Sequence, residues 1–417
     1  MKTITEAQEL VLSHVTASKA ENVALLDSMG RVLAEDVQSN RNHPPYDISA
    51  MDGYAVKFSD IKGATKDKPA ILKIVDDIKA GAEPKCSVEK GQASRIMTGA
   101  PVPKGIDTIV RVEDTDCNDT EVKIFTEWPR ESNLRKMGEN LKTGDTVLKA
   151  GTDIGPAEVG ILAMVKKAEV KVHKKPRIAI LSTGDELEAL TEPFNERKIP
   201  DANSYTVLSQ LRAAGADPEL IGIAKDSPES LREHLKKALT YDGMVVSGGV
   251  SVGHHDFVRP TLTELGIDML FWRVAIRPGH PFAFGVTKDN KPVFALPGNP
   301  VSSMVCAEEF IIPAVRRMTG AKKAFRRTVR ARLTHEVKDK RGRTHFMRVK
   351  LEKTPNEYLA TLTGSQGSGI LMSMVEADGL MVMPKDADHL IKGCIVTVQL
   401  LNIYGADSFQ EIPDINE

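Results

Sequence analysis

The stretch Asp242-Gly-Met-Val-Val-Ser-Gly-Gly-Val-Ser-Val-Gly-His-His-Asp256 sets the fold class, because a short apolar run there passes straight into a loop of serines and glycines. Met244 to Val246 read as the end of a buried parallel strand. Ser247, Gly248, Gly249, Ser251 and Gly253 let backbone N–H groups and hydroxyls approach an anion such as phosphate, and Asp256 closes the loop with a carboxylate. There is no Walker A lysine and no G-x-G-x-x-G turn, so the common nucleotide fingerprints do not explain it. Taken alone, the loop is equally an ordinary turn between strand and helix.

Its neighbours tip that balance. From Arg177 onward the chain alternates strands and helices: Ile178 to Leu181 runs into Ser182-Thr-Gly-Asp-Glu186, a helix over about 204–214 ends at Gly215, and a strand at 219–223 is followed by Asp226 and the Ser227-Pro228 helix start. A helix near 257–265, an extended run from Met269 to Ile276, the loop Arg277-Pro-Gly-His-Pro281 and the strand Val293 to Leu296 come next, and Leu296-Pro-Gly-Asn-Pro-Val-Ser-Ser303 leads into a long helix through about Met318. Such alternation predicts a mostly parallel sheet whose ligand loops gather at the carboxyl ends of its strands. The three loops would then share one crevice, with hydroxyls and bare N–H groups for an anion and Asp185, Glu186, Asp226 and Asp256 for a hard cation such as Mg²⁺.

The flanking regions read differently. Residues 4–19 have the spacing of an amphipathic helix, and a short second segment, Val23 to Asp27, follows within 20–36. Asp52-Gly53 reads as a hairpin tip presenting Asp52 outward. Between 56 and 148 short β-like runs alternate with turns, among them Thr98-Gly-Ala-Pro-Val-Pro103, and 156–167 returns to a helical pattern. Beyond 325 further short strands predict a small β-barrel ending near Asn402.

Composition narrows the function. A chain of 417 residues with a net charge of −1 calls for two to four domains and argues against nucleic acid as a partner. No apolar run approaches membrane-spanning length and the N-terminal residues do not resemble a secretion signal, so a cytoplasmic protein is expected. Cys86, Cys117, Cys306 and Cys394 lie far apart and are expected to be buried free thiols. His254, His255 and His280 invite a transition-metal reading, but adjacent side chains on an extended loop point apart. His280 is the better candidate for a partly protonated contact to an oxyanion.

SAMDGYAV, RIMTGAPVP, NLRKMGENLKTG, STGDEL, SGGVSVG, PGHPFAFG and LPGNPVS occur in the order and rough spacing of the MoeA/gephyrin-E family, and GRTHFMR and SQGSGIL extend the resemblance to about residues 5–402. What it resembles implies a Mg²⁺-dependent molybdopterin molybdenumtransferase that inserts molybdate into adenylylated molybdopterin and releases AMP. It implies an elongated, L-shaped homodimer in which the last domain of one subunit approaches the crevice of the other. It implies an α/β molybdopterin-binding domain from 1–22 with 176–325, a connecting domain from 23–45 with 146–175, a β-rich domain at 46–145, a C-terminal β-barrel at 326–404 and a tail at 405–417.

Carried over by position, the acidic residues of the family fall on Asp52, Glu186, Asp226 and Asp256, of which Glu186, Asp226 and Asp256 would hold the metal. Substrate contacts fall on Thr98, Ser182, Thr183, Gly184, Asp185, Ser247, Gly248, Gly249, Ser251, Pro297, Gly298 and Pro300. Molybdate contacts resemble Arg277, His280, Ser302, Arg348 and Ser368. A molybdopterin adenylyltransferase is a further implied partner.

The chain departs from the family pattern at Asn140, where an aspartate is usual, at His254, where an acidic residue is common, and at Arg277-Pro-Gly-His280, where two lysines are usual. Oxyanion binding is therefore expected to weaken as pH rises through the titration of His280. Two other functions fit part of the pattern: a non-catalytic gephyrin-like dimeric scaffold, and a molybdopterin adenylyltransferase. Convergent carboxylates, expected to be buried, disfavour the first, and the β-rich insertion and barrel disfavour the second. Molybdate and tungstate are too alike in size and charge for the sequence to separate them.

Overall fold

The computed structural model describes residues 1–249 and 257–401, so Ser251 and Asp256 of the expected site lie outside the described residues. Two compact units emerge: residues 1–34, 151–155 and 169 onward form one, and residues 35–150 with 156–168 form the other.

The larger unit is organised by a six-stranded sheet. Strands Asp217–Ala224, Arg177–Thr183, Gly243–Ser247 and Pro292–Leu296 lie side by side in that order, all parallel. Every residue of 243–247 and 292–296 is buried, as strands covered on both faces require. Ala283–Val286 and Asp268–Trp272 extend the sheet as antiparallel strands. The expected run from 269 to 276 is therefore divided: Ile276–Arg277 leaves this sheet and pairs in parallel with Thr344 and His345 of the barrel.

The helix that follows 292–296 is not continuous. It runs α-helically over Pro300–Cys306, widens to a π-helix over Ala307–Ile311 and resumes over Ile312–Met318. Pro313 has no N–H to offer Glu309, whose carbonyl would be its α-helical partner. That carbonyl instead accepts from the Gln8 amide at 3.1 Å. The N-terminal helix carrying Gln8 spans only Ile4–Ser13, started by a Thr3–Glu6 capping box. It is shorter than its apolar spacing predicts because Ala20–Ala24 is taken up as a strand by Glu169–His173.

The barrel is closed. Strand 344–353 pairs with 358–362, then 328–333, 395–400 and 379–383 follow, and 379–383 returns to 344–353. Closure removes the exposed edges that a small sheet would otherwise present.

The smaller unit holds a five-stranded sheet in the order 108–111, 53–56, 92–96, 70–78, 121–124. Asp52-Gly53 is not a hairpin tip here. Gly53 opens a strand between Ile96 and Arg111, and a Cβ on it would stand 1.9 Å from the Val110 carbonyl oxygen, so glycine is required by close approach rather than by a turn. Among the described residues no helix is long and apolar enough to cross a membrane. All four cysteines are free, but only Cys306 is fully buried; Cys86 and Cys117 are exposed, contrary to the expectation of buried thiols.

Candidate functional site

Register brings the carboxyl ends of three strands together: Ser182 lies opposite Ser247, and Ser247 opposite Leu296. The Gly248 N–H donates to the Leu296 carbonyl at 3.1 Å and that of Gly184 to Ala224 at 3.2 Å, which draws four strand ends into one rim. Gly248 and Gly249 adopt φ of 94° and 64°, in the left-handed region. A Cβ on Gly248 would sit 2.6 Å from the Thr183 carbonyl, and one on Gly249 would sit 2.4 Å from Val258 Cγ2. The Thr183 hydroxyl beside them is buried and has no hydrogen-bond partner among the described residues. A buried hydroxyl left unpaired beside two obligatory glycines is a group prepared for a ligand oxygen or N–H.

The acidic residues cluster on the same rim. The Asp226 N–H points to Asp185 Oδ1 at 3.4 Å, and the Glu186 carboxylate folds back over Gly184, where a Cβ would stand 2.6 and 2.7 Å from its two oxygens. Asp185 and Glu186 are exposed and Asp226 half-buried, so these carboxylates face solvent rather than the interior expected from sequence. All are hard oxygen donors, the type Mg²⁺ takes while keeping several waters. Among the described residues no three acidic, histidine or cysteine side chains already converge on one point.

Residues not foreseen hold the rim in shape. The Asn203 amide donates to Ser247 Oγ at 3.1 Å and to the Gly298 carbonyl at 2.8 Å, tying the second strand end to the third. Asp201, 4% exposed, caps the 202–213 helix through the Ser204 N–H and hydroxyl, and Ser204 in turn meets Ser182 Oγ at 2.6 Å. The signal was present in Pro200-Asp-Ala-Asn-Ser204, where aspartate precedes a helical pattern.

The Pro297, Gly298 and Pro300 turn continues into a second group. Asn299 donates to Ser368 Oγ at 3.0 Å, and the Val301 N–H, at the start of the 300–306 helix, donates to the Ser368 carbonyl at 3.1 Å. Ser302 is buried on that helix, against Gly279 of the 277–281 loop. His280 faces its Nδ1 to the Val274 carbonyl at 2.8 Å, leaving Nε2 for any other partner. Arg348 is fully buried, and its side chain reaches Ser373 Oγ and the carbonyls of Gly367 and Phe346, all neutral oxygens. Burial lowers its pKa to about 10, which still leaves it charged at neutral pH. Arg277 on a short strand, Ser302 on a helix, Arg348 on a barrel strand and Ser368 in a turn thus belong to the same unit. The Arg277 guanidinium is ion-paired with Asp339.

Asp52 and Thr98 belong to the other unit and bind each other: Asp52 Oδ1 accepts from the Thr98 N–H at 2.7 Å and its hydroxyl at 2.8 Å. The backbone bond, and then the hydroxyl, hold the Asp52 carboxyl below its usual range.

A parallel α/β sheet with a glycine-lined rim at its strand ends, set in a chain that also carries a closed barrel and a β-rich unit, defines a modular α/β protein. Three family models match the chain in succession. Residues 2–165 match the MoeA N-terminal region (domain I and II), 179–317 a "Probable molybdopterin binding domain", and 330–401 the MoeA C-terminal region (domain IV). A molybdopterin molybdenumtransferase of a Nostoc species is 35% identical over 388 residues, covering 92% of this chain and 89% of that protein. Molybdopterin molybdenumtransferase 1 of Mycobacterium tuberculosis is 32% identical over 97% of this chain and all of its own length. A crystal structure of the molybdopterin biosynthesis MoeA protein of Pyrococcus horikoshii superposes with a TM-score of 0.84 at 28% identity, covering 96% of this chain and 100% of that one. The chain belongs to the MoeA family of molybdopterin molybdenumtransferases and is a transferase of molybdenum cofactor biosynthesis.

Proposed function

We propose that the chain inserts molybdate into adenylylated molybdopterin, with Mg²⁺, and releases AMP. The observation that carries this reading is the Thr183 hydroxyl, without a hydrogen-bond partner among the described residues, enclosed by Gly248 and Gly249 and set on the same rim as Asp185, Glu186 and Asp226. In this reading Ser182, Thr183, Gly184, Asp185, Ser247, Gly248, Gly249, Pro297, Gly298 and Pro300 bind the adenylylated pterin, with Ser251 joining from outside the described residues.

Glu186 and Asp226, with Asp256, would hold Mg²⁺, and their oxygen donors suit it. When bound, the ion supplies charge neutralisation on the phosphoanhydride oxygens. The rim's N–H groups and Thr183 hydroxyl orient the anhydride and remain fixed as charge develops on it, so little reorganisation is required. Arg277, Arg348, Ser302, Ser368 and His280 through its Nε2 would receive molybdate, a tetrahedral dianion that needs cations and hydroxyl donors together. Asp52, ionised and held by Thr98, is assigned as a further carboxylate of the reaction. The working form in this reading is a cytoplasmic homodimer able to take its substrate from a molybdopterin adenylyltransferase.

The decisive assay is AMP release from adenylyl-molybdopterin. Release that needs both Mg²⁺ and molybdate supports the reading, and release indifferent to molybdate would sink it. The argument from buried carboxylates against a scaffold falls, since Asp185 and Glu186 are exposed and Asp226 only half-buried, and the same assay separates the two: a scaffold releases no AMP.

A further inference from the structure

A chain of charged side chains crosses from the α/β domain into the barrel. Arg277 lies opposite His345 where the 276–277 strand joins the barrel strand. Arg277 Nη1 is paired with Asp339 Oδ1, and Asp339 Oδ2 meets His345 Nδ1 at 2.6 Å. His345 is 2% exposed, and its Nε2 is buried with no hydrogen-bond partner among the described residues. An ionised carboxylate only accepts, so the proton of a neutral His345 sits on Nδ1 and Nε2 presents a bare lone pair. Burial keeps this imidazole neutral, with the Arg277 and Arg348 charges adding to it and Asp339 opposing it. Burial also works against ionisation of Asp339, but the Lys340 N–H, His345 and Arg277 outweigh it and hold the carboxyl below its usual range.

The charges decide what this arrangement does. Asp339, Arg277 and Arg348 are the charged groups acting on His345, and Met383 lies opposite it on the neighbouring strand. Two guanidiniums, one carboxylate and a neutral imidazole leave a net charge of +1. A dianion arriving at Arg277 would therefore be undercompensated and would face the Asp339 carboxylate.

We propose that Asp339 and His345 are positioning residues that set the charge available at Arg277, and that binding of a dianionic oxyanion there draws one proton from solvent onto Nε2 of His345. The inference rests on reading Arg277 as an oxyanion contact. The only bond formed is N–H at Nε2, using its lone pair. The resulting imidazolium keeps its Nδ1–H on Asp339, satisfies that carboxylate as a neighbouring cation, and releases Arg277 to the oxyanion. Because the bound anion raises the proton affinity of His345, binding tightens as pH falls and weakens as it rises, with a slope of at most about tenfold per pH unit for one linked proton.

Calorimetric titration of the full chain with sodium molybdate, in buffers of different ionisation heat near neutral pH, counts the protons. Wild type is expected to take up protons. His345→Asn, whose amide can still donate to Asp339 but carries nothing at Nε2, is expected to bind molybdate with the His345 share of that uptake lost. Asp339→Asn is expected to bind several-fold tighter at alkaline pH, because Arg277 no longer has a competing carboxylate; weaker binding would overturn the proposal. Equal proton uptake by wild type and His345→Asn would overturn it alone, whereas wild-type binding by Arg277→Ala would remove the oxyanion reading beneath it as well. Nitrogen-15 spectra of the histidine-labelled chain, with the His345 signals identified by their loss in His345→Asn, read the same event: the His345 imidazole gains a second N–H on molybdate addition, and no such change at His345 is the contrary result.

Discussion

The strand-end rim and the junction between α/β domain and barrel are built on opposite principles. The rim is shaped by glycine and small hydroxyls, with Thr183 left partnerless among the described residues and its carboxylates turned to solvent. The junction buries charge: Arg348 among neutral oxygens, Asp339 between Arg277 and His345, and Glu308 between Arg326 and Gln210. Beside Glu308, Glu309 is 3% exposed, and among the described residues its carboxyl accepts from the side-chain amides of Gln8 and Gln399. Burial, only partly offset by Gln399 and Gln8, raises its pKa to about 8. A rim that relies on shape fails on added volume, whereas a junction that relies on buried charge fails when a charge or its partner is removed.

The largest effect that tests this contrast falls on the rim. Gly248→Ala adds a Cβ against the Thr183 carbonyl at a positive φ, so AMP release should fall by on the order of a hundredfold while global stability drops by only about 2 kcal/mol. Near-normal turnover would show that the rim is not shape-limited. Next comes the junction: Arg348→Ala leaves a cavity and unpaired carbonyls, and chemical denaturation should record a loss of about 3 kcal/mol. A fully folded variant of unchanged stability would break the contrast.

Glu309 sharpens it through pH. Its folded pKa lies above its unfolded value, so the folded state holds the extra proton; its contribution is complete below the unfolded pKa of about 4.5 and is lost as pH rises towards about 8. Glu309→Gln should flatten that decline and exceed wild type at pH above about 8 by on the order of 2 kcal/mol, as read from melting curves across pH. Parallel curves for the two proteins would mean that Glu309 is already ionised in the fold. The smallest effect belongs to Gln8→Ala, which strips the donor from the Glu309 carbonyl and should cost about 1 kcal/mol. No measurable change there would mean water replaces the amide.

The same contrast explains what could be read from sequence. The rim was legible because its parts are local: SGGVS, STGDE and LPGNPVSS each announce a strand end by composition, and βα alternation dictates that they meet. The barrel and the β-rich insertion followed from short strands between turns. Arg277 drew attention as part of a loop, but Asp339 and His345 did not, since each is an ordinary surface-type residue in its own neighbourhood and their pairing depends on barrel register. Asn203 escaped for a related reason, because a helix-start asparagine says nothing of the two loops it joins. Asp52-Gly53 misled outright: the glycine that suggests a turn is there to let the Val110 carbonyl come near.

The widened turn at 307–311 has a consequence for how the chain is made. Its spare carbonyl is served by Gln8 and its buried acid by Gln399, so the helix behind the 297–302 turn is completed by residues far apart in the sequence. During synthesis the α/β core gains this contact only once the 395–400 strand of the barrel has been made. A fragment of residues 170–325 should accordingly remain open to proteases that the full chain resists.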